Sequence, residues 1–298
     1  MLDWLVQAGY RNLIVCHLDH RLRGRSSDAD ARFVRQLVTN YQKRLVKAGD
    51  SIANLAVVVS RTNVRASALK KKMSIEAAAR EARYEFFAKV AKEKKCHALV
   101  LAHHADDLVE TFLINLFRGA GNAGLASIRE SSRRSVAAID LHILRPWLGT
   151  WRAEIDKYIR QNRLRFREDV SNKELGPLRN RIRHRVIPYL EKNLGRGVRQ
   201  NIWRTAMIAG EEESLLNDLM PEVAADSTAL ALLPLREMPV ALQRRALHKW
   251  LRGADVADIG FDLIERVRGL LDVRAGPART NLPRNRHVRR RAGKLIME

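Results

Sequence analysis

The chain has 298 residues, enough for one large domain or two ordinary ones, and its hydrophobic share of 46% can supply a real core. These values argue against disorder of the whole chain, and no run of eighteen apolar residues indicates a membrane span. The N-terminus lacks the basic and long apolar regions of a secretory signal, which favours a cytoplasmic protein. Cys16 and Cys96 lie far apart beside apolar runs, so we expect buried free thiols rather than a disulfide or a zinc site.

Positive charge is the strongest bias of the composition. Fifty-five Lys and Arg residues against 33 Asp and Glu residues give a formal net charge of +22. Much of the excess is arginine, whose guanidinium group forms forked hydrogen bonds with phosphate oxygens. A surface of this charge attracts polyanions whatever their sequence, so nucleic acid is the favoured partner. A merely basic protein is the alternative that charge alone leaves open.

The first half of the chain alternates strand-like and helix-like segments. Short apolar runs that suit strands buried on both faces occur at four places: 13–17, 55–60, 98–102 and, more weakly, 141–144. Between the first two runs, Ser27 and Asp30 match the start of a helix with a capping box. Before the third run, Ser74 can cap a helix that begins at Ile75. This alternation predicts parallel strands joined by helical crossovers.

The pattern changes after Pro146, where helical segments dominate. We predict a first domain over 1–210, with a helical extension at its end, and a second, smaller and mostly helical domain over 211–298. The tail contains a strongly basic run at 284–291, and a solvated or disordered tail is its simplest interpretation.

The junction between the third predicted strand and the following helix has the clearest functional signal. The sequence there is His103-His-Ala-Asp-Asp-Leu-Val-Glu110, and the helix is predicted to end near Gly119. Ligands of an open α/β sheet bind at the carboxyl ends of its strands. Asp107 and Glu110 are three residues apart on this helix, where two ionised carboxylates repel each other. A metal ion, an ammonium group or an arginine would relieve the repulsion, and a solvated acidic first turn is the plainer alternative.

Three further groups of polar residues are candidates for a site. His17 begins a polar stretch that leaves the first strand at the same edge of the sheet. Arg80 and Arg83 share one helix face, where neighbouring glutamates could simply pair with them. Arg179 and Arg183 share one side of a basic helix, which suits a plain surface position or contact with a phosphate or an anticodon.

Several short stretches follow one another in an order that is specific even though each stretch alone is not. They are His17-Leu-Asp-His-Arg-Leu-Arg-Gly24, Ala79-Arg-Glu-Ala-Arg-Tyr84, Ala102-His-His-Ala-Asp-Asp-Leu-Val-Glu-Thr111, Arg118-Gly-Ala-Gly121, Gly124-Leu125, Arg145-Pro146, Asp169-Val-Ser-Asn172 and Arg179-Asn-Arg-Ile-Arg-His184, with Pro188 and Leu190. Together they resemble the tRNA(Ile)-lysidine synthetase family over residues 13 to about 190. A looser resemblance to the family's small substrate-binding domain covers about 215–298.

The resemblance implies an ATP-dependent ligase on a parallel sheet of the adenine-nucleotide alpha-hydrolase, Rossmann-like type. Such an enzyme adenylates the C2 carbonyl oxygen of the wobble cytidine in an isoleucine tRNA with a CAU anticodon. The amine of free lysine then displaces AMP and gives lysidine. Mg²⁺ would accompany ATP to neutralise the triphosphate, without a separate protein-only metal site. The implied partners are tRNA and lysine but no membrane, and a homodimer stays open.

The resemblance also implies roles for single residues. The lysine ammonium would be recognised by Asp107 and Glu110. Phosphate, or charge that develops at the activated base, would be stabilised by Arg80, Arg83 and Arg179. The nucleotide pocket would be lined by His17, His103 and His104. The tRNA would be contacted by Arg118, Arg179, Asn180 and Arg183.

One motif of the family does not occur in this sequence. The phosphate loop Ser-Gly-Gly-x-Asp-Ser would precede a helix whose remainder is Met1 to Val6, so we expect that the chain as written starts just after the loop. Backbone N–H groups at such a helix N-terminus hold the phosphates of a nucleotide. We therefore predict poor ATP binding and little or no lysidine formation by residues 1–298. Robust lysine-dependent ATP–pyrophosphate exchange by the purified chain would contradict this prediction.

Other classes of function stay open on the sequence alone. A metal-dependent phosphohydrolase would draw its ligands from His17, Asp19, His20, His103, His104, Asp106 and Asp107. Neighbouring residues of a strand point to opposite faces, which disfavours such a cluster, and stoichiometric zinc or manganese would favour it. A non-catalytic tRNA-binding remnant would be favoured if the upstream DNA encoded no in-frame phosphate loop. A tRNA-thiolating relative is disfavoured because the cysteines that this chemistry usually needs are missing.

Overall fold

The computed structural model describes residues 1–22, 24–47, 49, 54–168, 174–220, 228–274 and 276–298. The helices are α1 (Leu2–Gln7), α2 (Arg25–Lys47), α3 (Val64–Lys71), α4 (Ile75–Lys94), α5 (Ala105–Phe117), α6 (Asn122–Leu125), α7 (Arg152–Gln161), α8 (Leu178–Arg181), α9 (Ile187–Leu194), α10 (Val198–Asp218), α11 (Leu232–Glu237), α12 (Val240–Gly253) and α13 (Phe261–Gly269). A π-helical turn, Ile182–Val186, joins α8 to α9. The strands are β1 (Asn12–Asp19), β2 (Asn54–Arg61), β3 (Ala98–Val100), β4 (Ser131–Val136), β5 (Ile139–Leu144), β6 (Ala229–Ala231), β7 (Arg279–Asn281), β8 (His287–Arg291) and β9 (Lys294–Met297).

The chain divides into two compact units. The first comprises Met1–Asp107 and Arg129–Glu174, and the second comprises Leu108–Ile128 and Leu175–Glu298. Helix α5 is continuous, so its first three residues belong to the first unit and the others to the second. The domain boundary near residue 210 stays a prediction. Among the described residues, no helix is both long and apolar enough to cross a membrane.

Parallel strand pairs form the frame of the first unit. β1 pairs in parallel with β2, and β3 pairs in parallel with β5. Val38 and Tyr41 of α2 pack on the first pair, while Tyr84 and Ala88 of α4 pack on the second. The parallel α/β class and the four sequence-predicted strands are thus confirmed, although β3 ends two residues earlier than the apolar run suggests.

The helix-start predictions have different outcomes. Ser74 caps α4 as predicted, because its hydroxyl accepts a hydrogen bond from the N–H of Ala77 at 3.2 Å. The prediction for Ser27 is wrong: α2 begins at Arg25, so Ser27 lies inside the first turn. Helix α5 runs over the predicted residues and is followed by Gly119, whose φ of +71° is the left-handed conformation that commonly follows a helix end.

Strand β4 was not predicted from the sequence. It pairs antiparallel with β5, and its sequence Ser-Ser-Arg-Arg-Ser-Val contains almost no apolar residues. The alternation of exposed and half-buried residues along β4 is the period-2 pattern of a strand, but polar residues occupy both faces. A hydrophobicity pattern therefore cannot identify it.

The C-terminal part of the second unit combines helices with a sheet. Strands in the order β6-β9-β8-β7 form an antiparallel sheet, and Val288 and Leu295 of this sheet are fully buried in a core with Trp250 of α12. The sequence indicated the helices but not these strands. The expectation of a solvated or disordered basic tail is wrong, because β8 occupies five of its residues.

Both cysteines are free thiols, as predicted. Cys16 on β1 is half-buried, and this burial raises the pKa of its thiol to about 11. Cys96 is exposed, so its predicted burial is wrong. The reason is its position in the connection between α4 and β3 rather than in the strand itself.

Candidate functional site

The connection between β3 and α5 places polar side chains at the carboxyl end of a parallel strand. Ala105, the first residue of α5, is fully buried, and its N–H donates to the carbonyl of Thr150 at 2.9 Å. This bond fixes the helix start, so His103 and His104 lie in a short connection with a defined path. The predicted position of this histidine pair, at the strand-to-helix junction, is confirmed.

The two aspartates that follow stabilise helix starts in the first unit. A carboxylate oxygen of Asp107 accepts the backbone N–H of His104 at 3.1 Å, which caps α5. Asp106 accepts the backbone N–H of Arg152, the first residue of α7, at 2.9 Å. The His104 ring lies 3.5 Å from each of these carboxylates. The acidic first turn therefore stabilises two helix starts and lies beside the His104 ring.

The carboxyl end of β1 carries His17 and, just after the strand, His20, which lies within electrostatic range of Arg83 of α4. Desolvation lowers the pKa of His20, and the positive charge of Arg83 lowers it further, while Asp19 acts in the opposite direction and His17 adds a smaller lowering. His17, His20 and Arg83 therefore influence one another electrostatically, as expected if α4 and β1 contribute to one site. The stretch that begins at His17 includes Arg23, which lies outside the described residues.

The structure does not gather the ligands that a phosphohydrolase would need. Among the described residues, which include all seven candidate ligands, no group of three or more His, Cys, Asp or Glu side chains could hold a metal ion. Asp19 instead accepts the backbone N–H of Arg21 at 2.8 Å and lies 3.6 Å from the guanidinium of Arg61. The phosphohydrolase interpretation thus lacks the cluster on which it depends.

Glu110 is the most deeply buried acid of the motif, and arginines surround it. Its side chain is 1% exposed, and both carboxylate oxygens accept hydrogen bonds from Arg183, at 2.6 and 2.9 Å. Arg179 lies 3.7 Å from the same carboxylate and donates to the hydroxyl of Thr111 at 2.6 Å. All four residues belong to the second unit. Of the three cations considered for this acid pair, arginine is the one that Glu110 binds here.

Arg179 of α8 and Arg183 of the π-helical turn are four residues apart, a spacing that places two side chains on one helix face. Such turns insert an extra residue and often occur at functional sites. About one third of each arginine side chain is exposed.

The remaining predicted RNA contacts differ in exposure. Arg118 is exposed just after α5, which suits contact with a polyanion. Asn180 is only 8% exposed, so a direct contact with RNA is disfavoured while the second unit keeps this packing. The family stretch 169–172 lies outside the described residues.

One group of residues near the site was not recognised in the sequence as a cluster. Arg134 of β4 lies over the ring of the buried Tyr84, with its guanidinium carbon 4.0 Å from the ring centroid. Arg80 lies 5.4 Å from the same centroid. Only the Arg80 half of this arrangement could be anticipated, because the four-residue spacing of Arg80 and Tyr84 on α4 is local.

Comparison with known families agrees with this α/β frame. The family model described as the PP-loop domain matches residues 1–190, and the one described as the TilS substrate binding domain matches residues 230–296. The first match covers more than half of the chain, and the parallel strands with their helical crossovers have the architecture it describes. The chain is therefore a PP-loop protein with a Rossmann-like domain.

Sequence relatives narrow the class to one family. The chain is 37% identical to the tRNA(Ile)-lysidine synthase of Geobacter sulfurreducens, 33% to that of Dehalococcoides mccartyi and 35% to that of Thermosynechococcus vestitus. These alignments cover 91%, 91% and 93% of the chain, and 56%, 57% and 75% of the relatives. The chain belongs to the tRNA(Ile)-lysidine synthase family. It spans little more than half the length of the first two relatives.

A solved structure shares the fold. The U34-tRNA thiolase NcsA from Methanococcus maripaludis, solved with its [4Fe-4S] cluster, aligns with a TM-score of 0.50 over 75% of this chain and 69% of its own. The sequence identity is 18%, so the likeness concerns the fold alone.

Proposed function

We propose that the chain acts on tRNA as an ATP-dependent ligase, joining free lysine to C2 of the wobble cytidine of an isoleucine tRNA with a CAU anticodon. The observation that carries the proposal is the presence, in one chain, of a PP-loop domain and a TilS substrate binding domain. The cytidine O2 would attack the α-phosphorus of ATP and release pyrophosphate. The lysine amine would then attack C2, lose a proton, and displace AMP with its bonding electrons. These substrates imply a reaction in the cytoplasm.

The nucleotide would bind at the carboxyl edge of β1 and β3. His17, His103 and His104 lie at these strand ends, and the start of α5 has the positive end of a helix dipole. Arg80 and Arg83 would hold phosphate oxygens, which fits the lack of a carboxylate partner for either residue within the described part of the chain. Mg²⁺ would come with the triphosphate, whose negative charge it neutralises.

Asp107 and Glu110 would have different tasks. The resemblance pairs them as ligands of the lysine ammonium, and Asp107, with 14% of its side chain exposed, keeps that role in our proposal. Glu110 is 1% exposed and binds two guanidinium groups, so we assign it the positioning of Arg179 and Arg183 instead. These arginines would contact the tRNA together with the exposed Arg118.

A prediction for Asp107 tests the ammonium site. Asp107→Asn should weaken lysine binding about tenfold to a hundredfold, because a charge-assisted hydrogen bond contributes about 1.5–3 kcal/mol. Calorimetric titration of lysine measures this change, and norleucine, which lacks the side-chain ammonium, is the matched ligand control. Equal binding of norleucine and lysine by the unaltered chain would contradict ammonium recognition.

A separate measurement tests the RNA substrate. The chain should bind the isoleucine tRNA. Transfer of labelled lysine to that tRNA would establish ligation directly, although little transfer is expected from residues 1–298, in which the phosphate-loop motif does not occur. Failure to bind this tRNA more tightly than a duplex RNA of equal length would count against the proposed substrate. Binding of tRNA without any lysine binding would instead favour a non-catalytic tRNA-binding protein.

A further inference from the structure

A cluster of arginines around one buried tyrosine lies in the first unit, and one of its members, Arg134, lies outside the family stretches. We call it the Tyr84 cluster, and its members are Tyr84, Arg80, Arg83, Arg134 and Arg145. Tyr84 is 4% exposed and packs with Leu141 and Ile143 of β5. The guanidinium of Arg134 stacks on its ring at 4.0 Å, and that of Arg80 lies 5.4 Å from the same ring centroid. Such contacts hold a guanidinium plane in place and leave its edge donors available.

The cluster has positive charge without a matching carboxylate. Within the described ranges of the chain, none of its four arginines forms an ion pair with Asp or Glu. Burial lowers the pKa of Arg145; Tyr84 opposes this effect, and the charge of Arg80 adds a smaller lowering. Desolvation likewise lowers the pKa of Arg83, again against Tyr84 and with a smaller lowering from Arg80. Guanidinium groups that lie close together and are partly desolvated repel one another, and a bound oxyanion would relieve this repulsion.

Strand β4 presents only one of its two adjacent arginines to this cluster. Arg134 pairs with Leu141 across the β4–β5 hairpin and is half-buried, whereas Arg133 pairs with His142 and is exposed. Arg145 braces the hairpin, because its guanidinium donates to the carbonyl of Arg129 at 2.7 Å and to the hydroxyl of Ser132 at 3.1 Å. The position of Arg134 is therefore built by the fold and is not that of a free surface charge.

We propose that Arg134, stacked on Tyr84 beside Arg80, binds a backbone phosphate of RNA. The inference rests on the proposed tRNA substrate and extends its binding surface to the β4–β5 hairpin. An RNA phosphate is favoured over a free nucleotide because the formal net charge of +22 suits a polymer that carries many phosphates. The exposed residues of the opposite face of β4, among them Arg133, are not part of the proposed contact.

The test compares Arg134→Gln with Arg133→Gln, two neutralisations one residue apart on opposite faces of one strand. The measurement is tRNA affinity of the full chain across a range of salt concentrations. We expect Arg134→Gln to weaken binding about tenfold and to reduce the slope of log affinity against log salt by about one. Arg133→Gln should change affinity about twofold or less and leave the slope unchanged. Arg134→Lys should be intermediate, because lysine keeps the charge but loses the planar stack.

The outcomes separate this inference from the proposed function. Absence of tRNA binding by the unaltered chain would overturn both. Normal binding by the unaltered chain, with equal behaviour of Arg134→Gln and Arg133→Gln, would overturn the inference alone. Parallel titrations of Arg134→Gln with ATP and with pyrophosphate identify the phosphate source. A loss of affinity confined to these two ligands would place Arg134 in the nucleotide site and overturn the RNA contact. Thermal unfolding verifies folding. Should Arg134→Gln fail to fold, the tRNA affinity of Arg134→Lys decides: a loss relative to the unaltered chain supports the inference, and equal affinity overturns it.

Discussion

Replacing Glu110 with glutamine is expected to lower the free energy of unfolding by about 2–4 kcal/mol, an effect typical of breaking a buried ion pair. The carboxylate of Glu110 is 1% exposed and accepts two hydrogen bonds from Arg183, with Arg179 nearby. Glutamine keeps the shape but offers one oxygen and an NH₂ group, which cannot accept from a guanidinium. Because each arginine is about one third exposed, water compensates part of the loss, which keeps the expected value below that of a fully buried ion pair.

The matched control is Glu191, which pairs with Arg199 in the same unit. Its carboxylate also meets one guanidinium twice, at 2.9 and 3.2 Å, but its side chain is 24% exposed. Glu191→Gln should cost less than about 1 kcal/mol, since solvent screens exposed pairs. Urea denaturation of both variants measures the difference. Equal losses of unfolding free energy in the two variants would mean that the burial of Glu110 does not strengthen its ion pair.

The same variant distinguishes two roles for Glu110. If Glu110 positions Arg179 and Arg183, Glu110→Gln should weaken tRNA binding and leave lysine binding nearly unchanged. A double-mutant cycle with Arg183→Gln should then give a coupling energy of about 1–3 kcal/mol, the range for groups that share one hydrogen-bonded network. A large loss of lysine affinity, comparable to that of Asp107→Asn, would return Glu110 to the ammonium site.

The sequence predicted the frame of the first unit because its signals are local. Buried parallel strands need continuous apolar runs, and each run lies where a strand occurs in the structure. The strand-to-helix junction after β3 follows from the same pattern, and this placed His103 and Asp107 correctly. The partner of Glu110 did not follow, because Arg183 lies 73 residues later in the chain. Spacing on one helix indicates that a cation is needed and does not identify which cation.

Strands that depend on tertiary partners were the elements that sequence patterns missed. Strand β4 is polar on both faces, and its half-buried arginine is stabilised by a ring on another element. Strand β8, His-Val-Arg-Arg-Arg, has one apolar residue, yet Val288 is fully buried. From the sequence alone a run of arginines resembles a solvated tail, because the acceptors of its guanidinium groups are not known. In the structure, Arg286 and Arg290 donate to backbone carbonyls that follow α12 and α13.

The basic run at 284–291 consequently contains arginines of two kinds. Arg286 donates to the carbonyls of Ala254 and Asp255 at 2.6 and 2.7 Å, just after α12 ends. Arg290 donates to the carbonyl of Leu270 at 2.9 Å and to that of Asp272, just after α13 ends. Carbonyls at a helix end lack a partner within the helix, and each guanidinium donates to carbonyls that follow α12 or α13, of which that of Asp272 also accepts the N–H of Gly276 at 3.1 Å. Arg291, by contrast, is exposed.

Arg290→Gln is therefore expected to lower the free energy of unfolding by about 2–3 kcal/mol, because at least two hydrogen bonds from a charged donor are lost. Arg291→Gln, which removes the same charge one residue later, should cost less than about 0.5 kcal/mol. Urea denaturation of the two variants gives both values, with tRNA affinity measured beside them. If the two variants were equally stable and equally impaired in RNA binding, the run would act through its charge alone. A loss of stability confined to Arg290→Gln would instead establish that arginines of this run hold the ends of helices.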